Sequence, residues 1–371
     1  MRDSEPQPPS NNEIDRRHFR VIEVVERLPA DRPTHETVDT IADWLAGPVL
    51  KNESGACAID EFAWRMLAAG FPLLRMTLHS GTLHPQFLGT TFVWWRDLGQ
   101  TVQTLIAHEI RDTVPYGKNP IRQVIEGGET IRRRLDVPDN DLDFSILRDL
   151  KAKGGTDYVS LRIASAHGPG YAVSYTTDRS GGFSTQEIDA MTHLSHRLQG
   201  ACDTYSQRAL TRNLLNAYLG SNAGPKVLAG QIRRGTGEEL AAVLWSSDLR
   251  GFTERSDRLA GSRMIAILNA LFEAQAKAIH DHGGEILKFI GDGLLAIFPI
   301  DDVGRGQDAA ENALDAAREA LDAVSLLADD PSMAGEPPLK IVVALHAGTV
   351  IYGNVGSADR LDFTVIGPAV N

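Results

Sequence analysis

The segment EILKFIGDGLLAIFPI, residues 285–300, decides how the C-terminal third of this chain is read. Two apolar runs, 285–290 and 294–300, flank Gly291-Asp292-Gly293, and an Asp-Gly pair between such runs signals a hairpin. Upstream, VLWSSDLRGFT (243–253) continues a strand that begins near residue 240 and ends at Asp248. Between the two, residues 262–282 have amphipathic helical spacing, with Ser262 as N-cap and Gly283-Gly284 as stop. An alanine-rich helix is predicted over 306–328, and LKIVVALHAG (339–348) and LDFTVIG (361–367) predict two further strands. The order β-α-β-β-α-β predicts an α+β, ferredoxin-like sheet whose first strand pairs antiparallel with its third. That pairing makes Asp248 and Asp292 neighbours in space. Adjacent exposed carboxylates repel, and a divalent cation held between them removes the repulsion. Taken singly, Asp292 reads as a turn former and Asp248 as a helix N-cap.

Four blocks in order, DLRGFT (248–253), GGEILKFIGDGLLAIFP (283–299), ALHAGTVIYGNVGS (344–357) and DFTVIGPAVN (362–371), resemble the class III nucleotide cyclases. The resemblance covers about residues 240–371. It implies a domain in which Asp248 and Asp292 hold two Mg²⁺ or Mn²⁺ ions, with the backbone carbonyl of Leu249 as a further ligand. Gly251, Phe252 and Thr253 match the turn that cradles a triphosphate, and Asn371 matches the asparagine that orients the ribose. Lys288 stands where adenylyl cyclases keep a purine-reading lysine and guanylyl cyclases a glutamate. Thr364, seven positions before Asn371, would accept a hydrogen bond from the adenine amino group. Family members carry an aromatic residue at the position of Ser246, a role Trp245 would have to take over. They also carry, four positions after Asn371, an arginine that stabilises the transition state. That position lies beyond this sequence, so the expectation is either a fragment or a chain inactive as given. The implied activity is an adenylate cyclase acting on ATP as a homodimer. The rivals are a catalytically inactive cyclase-like regulatory protein and a guanylate cyclase.

The rest of the chain reads as a second body. Residues 1–12 form a polar, Pro-rich tail without an apolar segment, expected to be disordered and not a signal peptide. Residues 13–30, 36–47 and about 58–70 have helical spacing. The runs 73–80, 90–97, 101–108, 157–165 and 171–178 read as five strands, with GPGY (168–171) as a turn. Trp94 and Trp95 are consecutive in one of these strands, so their rings take opposite faces. Arg132, Arg133 and Arg134 read as a solvated or salt-bridged face, an anionic effector contact being the alternative. A five-stranded sheet flanked by helices is similar in layout to GAF- or PAS-type sensor modules, which makes 13–205 a regulatory domain for a small-molecule effector. Ile188, Met191, Leu194, Leu198, Tyr205 and Leu210 form a helical stripe that either zips two subunits or packs on its own sheet. Residues 206–239, with Gly and Pro breaks, read as a helical connector to the domain at 240–371.

The bulk numbers limit the alternatives. A net charge of −12 argues against general nucleic-acid binding, which wants basic stripes. Two cysteines among 371 residues make no disulfide framework and suit a reducing compartment. No apolar run approaches the roughly 20 residues of a membrane helix. The expectation is a soluble cytoplasmic protein.

Overall fold

The computed structural model describes residues 18–81, 87–113, 117–166, 168, 170–231, 233, 235, 237–300, 306–357 and 359–370. It divides the chain after Thr211 into two units, each built on its own antiparallel sheet. The tail expected at 1–12 and Asn371, expected to orient a ribose, lie outside the described residues.

The first unit runs β1 Phe19–Glu26, α1 Val38–Leu45, α2 Gly55–Ala68, β2 Arg75–Gly81, β3 Phe87–Trp95, β4 Gln100–Ala107, α3 Pro120–Gly127, β5 Ile131–Arg134, α4 Ser145–Ala152, β6 Asp157–Ile163 and β7 Tyr171–Thr177, followed by α5 Thr185–Leu228. The sheet has seven strands, ordered β1-β4-β3-β2-β7-β6-β5, where five were expected. Both additions are edge strands. Residues 19–26, read from the sequence as part of a helix, form β1, with half-buried and exposed positions strictly alternating. Val21, Ile22, Val24 and Val25 explain the outcome, because β-branched side chains suit a pleated strand better than a helix. β5 is Ile131-Arg132-Arg133-Arg134, and each arginine pairs with its own aspartate: Asp157, Asp143 and Asp136.

One face of this sheet packs on α1, α2 and the first half of α5, burying Trp44, Phe62, Trp64, Trp94 and Tyr175. The opposite face meets α3 and α4 through Val124, Leu147, Leu150 and Tyr158, with the half-buried Trp95 at its margin. The two adjacent tryptophans therefore do face opposite ways. α5 opens with Ser184, whose hydroxyl accepts from Glu187 N while the Glu187 carboxylate accepts from Ser184 N. This reciprocal cap satisfies two otherwise orphaned donors. Met191, Leu194 and Leu198 of the helical stripe are buried in the unit's own core, with Cys202 beside them. Tyr205 follows them, donating to Val49 O and Asn52 O. That stretch is core packing and not a subunit zipper.

The second unit comprises the end of α5, β8 Gly237–Leu249, α6 Phe252–Arg258, α7 Gly261–Asp281, β9 Glu285–Ile290, β10 Gly293–Pro299, α8 Gly306–Leu326, β11 Ile341–Gly356 and β12 Leu361–Ile366. Its strand order, β12-β11-β8-β10-β9, is the ferredoxin-like order with β12 added at one edge. α7 begins at Gly261 after Ala260, with no side-chain cap, so Ser262 is inside the helix rather than capping it. α6 is a seven-residue helix that starts directly after Gly251.

α7 and α8 cover one sheet face, where Val243, Trp245, Leu294, Ala296 and Phe298 meet Ala278, Ile279, Ala313, Ala316 and Ala320. Small residues on α8 let it approach the Trp245 and Phe298 rings, which lie 6.3 Å apart. Burying each large side chain contributes on the order of 2 kcal/mol. The other face holds Leu244, Leu295, Ile297, Tyr352 and Phe363 against Leu219, Ala223 and Val227 at the end of α5. The helix reaches that face because it breaks at Gly220, whose φ of 87° is open to glycine and strained for other residues.

Candidate active site

The register sets the site. β10 pairs with β8 from Pro299↔Ala242 to Leu294↔Ser247, so the next step along brings Gly293 and Asp292 beside Asp248 and Leu249. Gly293 makes the approach possible: a Cβ there would stand 2.7 Å from Ser247 O and 3.6 Å from Asp248 Oδ1. Gly291 takes φ 64° in the same hairpin. Asp248 is exposed, Asp292 is half-buried and Leu249 is buried beneath them. Neither carboxylate makes a hydrogen bond or ion pair with a described residue. β8 then turns through Gly251, at φ 75°, into α6, which starts with Phe252 and Thr253. Among the described residues no three His, Cys, Asp or Glu side chains gather as a metal-binding group.

Lys288 lies across the sheet on β9. An irregularity in the β9–β10 pairing, between Leu295 and Ala296, falls opposite Leu287. The displaced register lets Leu287 pack into the core while Lys288 pairs with Leu295 and reaches Asp362 on β12. The ion pair is 2.9 Å, with the two side chains 33% and 56% exposed. β9 and β12 stand at the two ends of the strand order, so the sheet curls enough to bring these edge strands together and this bond joins them. Thr364 is buried and pairs with Gly353; two residues from Asp362, it shares that residue's face of β12. Trp245 is fully buried on the helix-covered face, whereas Ser246 is exposed on the other. Strand alternation prevents the indole from taking the place of an aromatic at 246, contrary to the expectation.

Residues 238–371 match the family model described as the adenylate and guanylate cyclase catalytic domain. An adenylate cyclase of Anabaena cylindrica is 38% identical over 124 residues, covering 33% of this chain and 24% of that protein. Adenylate cyclase 1 of Rhizobium meliloti is 29% identical over 136 residues, covering 36% of this chain and 20% of its own length. Among solved structures, the guanylyl cyclase Cya2 is 33% identical, over 36% of this chain and 67% of that one, with a TM-score of 0.33. The adenylyl cyclase CyaB from P. aeruginosa is 27% identical, over 36% and 69%, with a TM-score of 0.34. Residues 238–371 belong to the class III nucleotide cyclase family.

The match spans only about a quarter of the length of the curated cyclases it resembles. Asp362, the ion-pair partner of Lys288, is a residue to which the sequence alone does not point. Its position 74 residues from Lys288 gave no local signal, and only the curl of the sheet brings the two together. Asp248 and Asp292 lie at the ends of paired strands with no cationic partner among the described residues, and carboxylate oxygens so left are of the donor type that hard divalent cations take. No helix among the described residues is long and apolar enough to cross a membrane.

Proposed function

We propose that this cyclase domain converts ATP to 3′,5′-cyclic AMP and pyrophosphate. The 3′-hydroxyl oxygen forms a bond to the α-phosphorus, the bond from that phosphorus to the β-bridging oxygen breaks, and the hydroxyl proton passes to solvent. Asp248 and Asp292, with the Leu249 carbonyl, would hold two Mg²⁺ or Mn²⁺ ions. When bound, these ions supply an acidified 3′-hydroxyl and neutralisation of the leaving pyrophosphate. The turn at Gly251, Phe252 and Thr253 offers backbone amides to the triphosphate, and its glycine keeps a Cβ away from the phosphates. Lys288 donates to an adenine ring nitrogen, and the Thr364 hydroxyl accepts from the exocyclic amine. Asn371 orients the ribose. Holding the reactants in line in a charged pocket accounts for most of the rate.

As the resemblance to class III cyclases implies, a homodimer with two sites is proposed, each site taking metal ligands from one subunit and Lys288, Thr364 and Asn371 from the other. Exposed Phe289, Ile290, Ile351 and Ile366 near these residues suit burial by a second copy. The first unit is proposed as a regulatory domain of GAF-like layout, acting through α5.

The observation that carries the adenine reading is a lysine, not a carboxylate, at 288. The experiment is product formation by the full-length protein from ATP and from GTP with Mn²⁺, alongside Lys288→Glu. Cyclic AMP from ATP alone, with preference moving toward GTP in the variant, is expected. Cyclic GMP made from GTP by the unaltered protein would overturn the adenine reading, and no product from either nucleotide would favour a non-catalytic cyclase-like protein.

A further inference from the structure

On the face of the N-terminal sheet away from α5, the register lines up Trp95, Arg75, Thr176, Tyr158 and Arg133 across five adjacent strands. Side chains in such a row are direct neighbours. Arg133, at the end, is neutralised by Asp143 at 2.6 Å. Arg75 is not. It is 6% exposed, makes no hydrogen bond or ion pair with a described residue, and stacks its guanidinium 5.3 Å from the Trp95 ring centre. Burial draws its pKa down to about 10, which still leaves it charged at neutral pH. No carboxylate acts on it. A buried charge without a counter-charge costs several kcal/mol, so folded chains rarely keep one idle.

Three neighbours point the same way. Thr176 Oγ1, on the residue paired directly with Arg75, is also buried without a partner, so two orphaned polar atoms sit side by side. Lys153, exposed at the rim, holds its ammonium 4.7 Å from the same Trp95 ring; burial, then the charge of Arg75, lowers its pKa. His79, four residues along β2, bonds Thr77 and Thr91 through its ring nitrogens at 3.0 and 2.9 Å. Two cations thus flank one half-buried indole, and an unused hydroxyl lies beside the buried one of them.

We propose that this row binds a small organic monocarboxylate. Arg75 is the one buried positive charge, since the exposed Lys153 is met by water and by the charge of Asp149; a single negative charge balances it, whereas a phosphate dianion would leave an excess charge in the same low-dielectric setting. The planar guanidinium matches the two oxygens of a carboxylate in a parallel, two-bond contact. The Thr176 hydroxyl donates to the same group, Lys153 closes over it from the rim, and Trp95 offers an apolar face to the body of the ligand. Arg132, Arg133 and Arg134, which the sequence marks out more loudly, are already spent on their own aspartates.

The test is thermal unfolding of the full-length protein at constant ionic strength with sodium benzoate, acetate, phosphate or chloride, which needs no nucleotide turnover and so stands or falls apart from the cyclase reading. Benzoate and acetate are expected to raise the Tm saturably, benzoate at lower concentration, with phosphate no better than chloride. Lys153→Ala, at an exposed position that leaves the fold intact, is expected to shift the dose curve several-fold to higher concentration, and Arg75→Met to abolish the response. If Arg75→Met does not fold, Lys153→Ala carries the test. No carboxylate-dependent shift, a shift unchanged in Lys153→Ala, or phosphate matching benzoate would overturn the proposal.

Discussion

Gly293 has no side chain, and the approach of Asp292 to Asp248 depends on that. A methyl group there would meet the Ser247 carbonyl oxygen at 2.7 Å, a contact that only a backbone shift relieves. Overpacking of this kind costs about 1–3 kcal/mol, and a displacement near 1 Å between reacting groups costs roughly 100-fold in rate. Gly293→Ala is therefore expected to lower both the urea midpoint and the cyclase rate, the second far more than the stability loss explains; a variant with unaltered turnover would mean that the hairpin does not set the site. The Lys288–Asp362 bond has the opposite character. Both partners are partly exposed, which limits its contribution to stability to about 0–1 kcal/mol. It positions a side chain more than it holds the fold. Lys288 was legible in the sequence because its neighbours are diagnostic; Asp362 was not, since nothing local ties strand β9 to strand β12.

Elements with one strong period were legible, and edge elements were not. The hairpin at 285–300 and the helix beginning at Gly306 announce themselves, the first by Asp-Gly between apolar runs, the second by alanines that face the sheet. β1 failed because Val21, Ile22, Val24 and Val25 satisfy a helical and an alternating pattern about equally, and pairing with β4 decided between them. β5 is four residues long with three arginines, a composition that resembles a solvated face until its partners are known. α5 combines both cases. Its stripe from Met191 to Leu198 is ordinary core packing, but the break at Gly220 that turns its last residues onto the second sheet depends on φ 87°. Alanine at that conformation, φ 87° and ψ 168°, costs about 1–3 kcal/mol. Gly220→Ala is expected to destabilise the C-terminal unit by that amount in urea unfolding, and an unchanged midpoint would show that the break is not needed for docking.

Over the whole molecule, acid is expected to weaken the N-terminal unit first. Burial, reinforced by the charge of Arg75, pushes the His79 pKa down to about 3 from its ordinary 6.5. The unfolded chain therefore takes up a proton that the folded unit refuses. The stability this histidine contributes is complete above pH 6.5 and is lost as pH falls toward 3. The loss at pH 5 is on the order of 2 kcal/mol. Melting at pH 7 and pH 5 checks this: the drop should shrink in His79→Gln, and an equal drop in both proteins would remove His79 as its cause. The central claim concerns the other unit, where two carboxylates meet without a protein cation beside them. The most direct measurement is Mn²⁺ binding, followed by electron paramagnetic resonance with a non-cyclisable ATP analogue, in the wild type, Asp248→Asn and Asp292→Asn. Metal uptake that weakens at least ~10-fold in each variant, with the fold's melting temperature unchanged, is the predicted result; uptake that both variants leave intact would contradict it.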